Sequence, residues 1–207
     1  MKRILTSVVM LGLACAGMVR AADAPVSNDN DLVWCGLDYS LVKMIGTTDF
    51  LQPERIFPEA FDQWNILFMT EMLPQLEKMA PSVKSDLKPV TARNAKASAK
   101  QIQREDGTRD EMVTPTHITD ADIAKAVKSY SLKYDKGTGL VFIIDRMVKA
   151  QETECLYIVF FDISSRKVLH SERLVTPAGG MGFRNFWFKP IKTAVKGLPK
   201  TYKTLGK

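Results

Sequence analysis

Residues 140–163, LVFIIDRMVKAQETECLYIVFFDI, decide the fold. Two apolar runs, Leu140 to Met147 and Cys155 to Ile163, flank a polar turn over Lys149 to Glu154. A strand with one solvated face alternates with period two, so a run apolar on both faces belongs at the centre of a sheet. Gly137 and Gly139 break the chain before the first run, and a tight turn over Asp162 to Arg166 follows the second. The next segment, Lys167 to Val175, alternates more clearly and is predicted nearer an edge. Three strands joined by short links make an antiparallel meander.

Upstream, Leu32 to Val42 carries Val33, Cys35, Leu37, Tyr39 and Leu41 at period two, a strand with one well-buried face, and Gly36 marks a bulge or a close backbone approach. Pro58 opens a helix where a missing N–H costs nothing. Phe61, Trp64, Phe68, Met72, Leu76 and Met79 form its apolar stripe, and Pro74 is predicted to kink or divide it. Large apolar residues then thin out, and 92–113 reads as a flexible polar excursion. Thr119-Asp-Ala-Asp opens a second helix with a capping-box pattern. After Pro177 to Gly182, the residues Phe183, Phe186, Trp187, Ile191, Ala194, Val195 and Leu198 recur at helical spacing. Pro190 falls within that last helix and threatens its straightness. The expectation is a single α+β domain over 31–198. Its sheet is mostly antiparallel, an N-terminal strand plus the meander, packed by about three helices, with a basic tail at 199–207.

The first residues read as an export signal. Met1-Lys2-Arg3 is positive, Ile4 to Val19 is apolar and uncharged, and cleavage after Ala21 leaves small or modest residues, Val19 and Ala21, at the inspected positions. Cys15 follows Leu13 and Ala14 as a lipid-anchored cysteine would, but Gly12 stands where such a signal wants a large aliphatic residue. Residues 22–30 are polar and read as a disordered lead-in, and no later stretch is long enough to span a membrane. Removing residues 1–21 of the 207 leaves 186, enough for one domain with a real core. Lys2, Arg3 and Arg20 leave with the signal, so 29 basic residues become 26 against 23 acidic ones, a net charge of +3. The remaining lysines are interleaved with acids rather than gathered in a nucleic-acid-binding strip; the exception is the tail with Lys196, Lys200, Lys203 and Lys207, a solvated basic end or else a membrane-surface or polyanion contact.

Chemistry has few footholds. Cys35 and Cys155 are an even pair in an oxidising compartment and form a possible disulfide, or stay as buried thiols. The two histidines, His117 and His170, have no second His or Cys at a ligand spacing, so the sequence predicts no metal site and no cofactor. There is no nucleophile elbow, and a Cys155–His170 pair would need a thiolate in an apolar strand. Asp38, Asp145 and Asp162 lie on or at the ends of strands and are candidates for carboxylate catalysis if they converge, although acids there are commonly turn formers. Gly179, Gly180 and Gly182 lead into a helix bearing Arg184, Asn185 and Lys189, which suits an anion, or simply a sharp turn.

Two stretches, Val-Phe-Phe-Asp-Ile at 159–163 and Gly-Gly-Met-Gly-Phe-Arg-Asn-Phe-Trp at 179–187, resemble the C-terminal end of a group of uncharacterised bacterial proteins with signal peptides. The order of elements is similar to the small α/β domain shared by the amino-terminal part of the Tol-Pal translocation protein and the curli-secretion lipoprotein. That resemblance implies envelope assembly or interaction rather than catalysis. The functional expectation is therefore an exported, non-catalytic periplasmic or secreted domain that binds another envelope or extracellular protein. A carboxylate-dependent hydrolase and a small anion-binding protein are the alternatives.

Overall fold

The structure, a computed structural model, describes residues 31–46, 50, 52–103 and 117–205. In chain order its strands are β1 (Leu32–Asp38), β2 (Lys43–Ile45), β3 (Lys84–Ser85), β4 (Ile102–Gln103), β5 (Thr138–Val148), β6 (Thr153–Asp162) and β7 (Val168–Pro177). Its α-helices are α1 (Glu59–Glu71), α2 (Leu73–Met79), α3 (Lys88–Asn94), α4 (Asp120–Lys128) and α5 (Phe183–Leu205). The predicted signal peptide, the lead-in and residues 104–113 of the excursion lie outside the described residues.

β5 is buried along its whole length, paired on both edges and packed into a core on each face. On one edge the antiparallel β6 matches it from Thr138↔Asp162 to Val148↔Thr153, and β7 follows β6 in the expected meander. The other edge is shared end to end by two parallel strands. β1 occupies Thr138 to Ile143 and β2 occupies Arg146 to Val148. β3 flanks β1 and β4 flanks β2, again in parallel. The sheet is therefore mixed and not mostly antiparallel. Long crossovers through helices bring β5 back in the same direction as β1 and β2, and a buried apolar strand carries no mark of its partner's direction.

β1 is likewise buried on both faces rather than one, with Leu32, Trp34 and Leu37 in one core and Val33 and Cys35 in the other. The expected strand to Val42 ends at Asp38. The chain turns there, with Val42 N–H donating to the Tyr39 carbonyl at 3.1 Å, and resumes as β2. Pro74 does divide its helix, at Met72 between α1 and α2. Part of the excursion is ordered, as the end of α3, a 3-10 turn at Ala99–Gln101 and β4, so the described chain has five helices rather than three. The basic tail is also shorter than read, because α5 continues through Leu205.

α5 runs unbroken through Pro190 and Pro199. Pro190 lacks an N–H, which frees the Phe186 carbonyl one turn earlier. The Gly179 N–H donates to that carbonyl at 3.0 Å, tying the preceding loop onto the helix. α1, α2 and α5 cover one face of the sheet, where Trp34 stacks on Phe68 with ring centroids 3.9 Å apart. α4 covers the other, setting Ile123, Ala126 and Val127 against Val141, Ile143, Val159 and Phe161. Its capping box forms as read: Thr119 Oγ1 accepts from Asp122 N–H, and Thr119 N–H donates to the Asp122 carboxylate. Among the described residues no helix is long and apolar enough to cross a membrane.

Gly36 sits in the bulge between β1 and β5, with φ +109°. Beside it, buried Asn65 accepts from Leu37 N–H at 2.8 Å and donates to the Leu37 carbonyl at 3.0 Å. A Cβ on Gly36 would lie 2.8 Å from Asn65 Oδ1 and 3.1 Å from Leu87 Cδ2. Gly36→Ala is therefore expected to destabilise the domain by about 2–4 kcal/mol, combining backbone strain with a broken buried hydrogen bond. Urea unfolding of the variant beside the parent measures it.

Candidate functional site

The sheet's second face, under α4, gathers a set of convergent polar groups. The β5–β6 pairing shifts register between Ile144 and Arg146, next to fully buried Asp145. Asp145 Oδ1 accepts from the Ile118 N–H at 3.1 Å, and Oδ2 bonds His117 Nδ1 and receives Arg146 Nε at 3.3 Å. Arg173, reaching over from β7, brings Nη2 to 2.6 Å from His117 Nε2 and donates its Nε–H to Cys155 Sγ at 3.2 Å. Tyr157 Oη donates to the Ile118 carbonyl at 3.1 Å. The ligand atoms of His117, Asp145 and Cys155 all lie within 4.8 Å of one another. Sequence spacing did not reveal this group, because its members come from a segment before α4 and from three strands. Sheet register gathers Asp145, Cys155 and Arg173, and the segment ahead of α4 lays His117 on them.

The other candidate carboxylates do not join it as a catalytic set. Asp38 is on neighbouring β1, buried and fully engaged, receiving Arg93 Nε at 2.8 Å, Tyr130 Oη at 2.7 Å and Ser40 N–H at 2.9 Å. Asp162 faces Thr138 at the opposite end of β5 and accepts from Ser164 and Ser165, a turn former after all. His170 packs near Phe160 on the first face, with burial holding its pKa below the usual value. Cys155 lies on the second face, so the Cys155–His170 pair is not made.

Cys35 and Cys155 are free buried thiols, and the possible disulfide is not formed. β5 lies between their strands. Cys35 falls at the level of Leu140 and Val141, whereas Cys155 pairs with Arg146. Five residues at roughly 3.3 Å each far exceed the ~7 Å that a bridge spans between Cα atoms. Burial pushes each thiol up to about 12, helped by Asp86 at Cys35 and by Asp145 at Cys155, so neither is a thiolate nucleophile at neutral pH.

At the start of α5, Gly179, Gly180 and Gly182 all have positive φ, the conformations the sharp turn from β7 requires. Arg184, Asn185 and Lys189 are exposed, and Lys189 Nζ crosses Gly179 closely enough to lie 3.1 Å from a Cβ placed there. The Arg184 carbonyl accepts from Trp64 Nε1 at 2.9 Å, which anchors the helix start to α1. The glycine conformations form the turn, and the Arg184 carbonyl docks it.

The first face carries two further features. A groove of about 470 Å³ separates α2 from α5; Met72, Leu76, Met79, Val195 and Leu198 form its floor, and Lys78, Lys192 and Lys196 stand on its banks. Lys192 is drawn to one side by Glu71 at 2.6 Å, while Lys78 and Lys196 are exposed. At the far end of β6, the carboxyl of Glu154 is wholly buried with no hydrogen-bond partner among the described residues, opposite Thr176, whose hydroxyl likewise has none among them. The chain matches no family model, and no significant match was found among curated proteins or solved structures.

Burial drives the Glu154 carboxyl well above its ordinary value of 4.5, so the native state keeps a proton that the unfolded chain has lost. Stability from this group is complete below about pH 4.5 and falls as pH rises toward the elevated native value. Glu154→Gln, which never ionises, is expected to raise the melting temperature at pH 7 and to flatten its decline between pH 5 and pH 8. Calorimetric scans across that range check it.

Proposed function

We propose that this chain is a non-catalytic, exported domain of the cell envelope or extracellular space, and that it binds a partner protein in the groove between α2 and α5. The groove carries this reading. Its floor is apolar and its banks carry lysines from both helices, the complement of an amphipathic segment with acidic flanks. α2 has seven residues, roughly 10 Å at 1.5 Å per residue, so the occupant is a helical segment of about two turns inserting side chains three or four residues apart. The non-catalytic part of the reading is supported by the state of the chemical groups: Asp38 is neutralised by Arg93, Asp145 is shared among His117, Arg146 and the Ile118 amide, and both thiols are held protonated. The apolar amino-terminal stretch and the resemblance at 159–163 and 179–187 support export and an envelope role.

A fluorescein-labelled amphipathic peptide with leucines at i, i+3 and i+7 flanked by glutamates is expected to bind the purified protein, read by fluorescence anisotropy. Met79→Glu and Lys196→Glu should each weaken it at least roughly tenfold, about 1.4 kcal/mol, whereas Lys125→Glu on the opposite face should leave it unchanged. Equal binding of the same peptide with lysines replacing glutamates overturns the reading. So does binding of a fatty acid in the groove without binding of the peptide.

A further inference from the structure

We propose that His117, Asp145 and Cys155 form a site for one divalent transition-metal ion, with zinc the best match to its donors. An imidazole, a thiolate and a carboxylate are the ligand types zinc takes, and their donor atoms already lie within 4.8 Å of one another. The hydrogen bond between His117 Nδ1 and Asp145 Oδ2 opens to admit the ion between them, and His117 shifts so that all three donors reach bonds of roughly 2.0–2.3 Å. The movement is available. His117 belongs to the irregular segment ahead of α4, and its side chain is one-third exposed, which also supplies an entry path. Asp145 and Cys155 sit on paired strands and form the rigid wall.

Arg173 marks where the ion enters. Its guanidinium reaches both His117 Nε2 and Cys155 Sγ, so a cation already stands between two of the three donors. When the metal binds, Arg173 swings from its edge strand into solvent and the Cys155 thiol proton leaves to water. The charge of the cluster is unchanged, because one dication replaces one guanidinium and one proton. Arg146 stays beside Asp145 throughout. The bound ion would fasten the chain at His117 across β5 and β6, with water in the fourth position of the tetrahedron.

Co²⁺ reports on this directly, because thiolate coordination gives an intense charge-transfer absorption that nitrogen and oxygen ligands do not. Titration of the full chain, stripped with chelator and kept reduced, is expected to develop that band to one equivalent and to lose it on adding Zn²⁺. Cys155→Ser should abolish the band and His117→Ala should weaken binding sharply. His117 is partly exposed, so its variant keeps the core and guards against a misfolded Cys155→Ser. Arg173→Ala keeps all three donors and removes only the competing cation, and should bind Co²⁺ roughly tenfold more tightly. No charge-transfer band, a band that survives in Cys155→Ser, or weaker binding in Arg173→Ala would each overturn the site.

Discussion

Everything in this domain depends on β5 being paired along both edges. Eleven buried residues bring their N–H and C=O groups into a dry interior, and each needs a partner. β6 supplies them along one edge, from Thr138 to Val148 with one bulge at Asp145, while the other edge takes two parallel strands laid end to end. The break between β1 and β2 is therefore not a flaw in pairing. Asn94 bridges it with its side-chain amide, accepting from Tyr39 N–H at 2.8 Å and donating to the Leu37 carbonyl at 2.9 Å, and Gln101 adds bonds to the Tyr39 and Val42 carbonyls. Polar residues from the stretch with the fewest large apolar side chains complete the backbone accounting of the sheet.

The two faces of that sheet solve different problems. On the first, a wide aromatic core under α1, α2 and α5 leaves little polar chemistry, and the unpartnered Glu154 carboxyl is tolerated by staying neutral. On the second, α4 is only nine residues long, and the surface beyond its apolar stripe is filled by ionic groups. Buried carboxylates survive there because arginines and hydrogen-bond donors surround them: Arg93, Tyr130 and Ser40 around Asp38, and His117, Arg146 and the Ile118 amide around Asp145. Asp38 and Asp145 therefore have separate sets of partners. Each is spent on holding a different segment against the sheet.

Length, periodicity and punctuation were enough to read the meander β5–β6–β7, the division at Pro74, the capping box at Thr119 and the bulge at Gly36, because each rests on interactions within a few residues of the chain. Strand direction, the five-helix count and the fate of 92–103 were not legible, since parallel and antiparallel partners place the same apolar demand on a central strand. The candidate sites divide in the same way. The sharp turn at Gly179 to Gly182 is local and was readable, whereas Asp145, Cys155 and Arg173 meet through the register of β5, β6 and β7 and His117 reaches them from the segment ahead of α4. The sequence by itself determined which segments are buried and where the chain turns, as hydrophobic period and backbone preference are properties of neighbours in the chain. Only the tertiary structure decided which buried groups face one another, because a one-residue change of register would turn every one of them to the other side of the sheet.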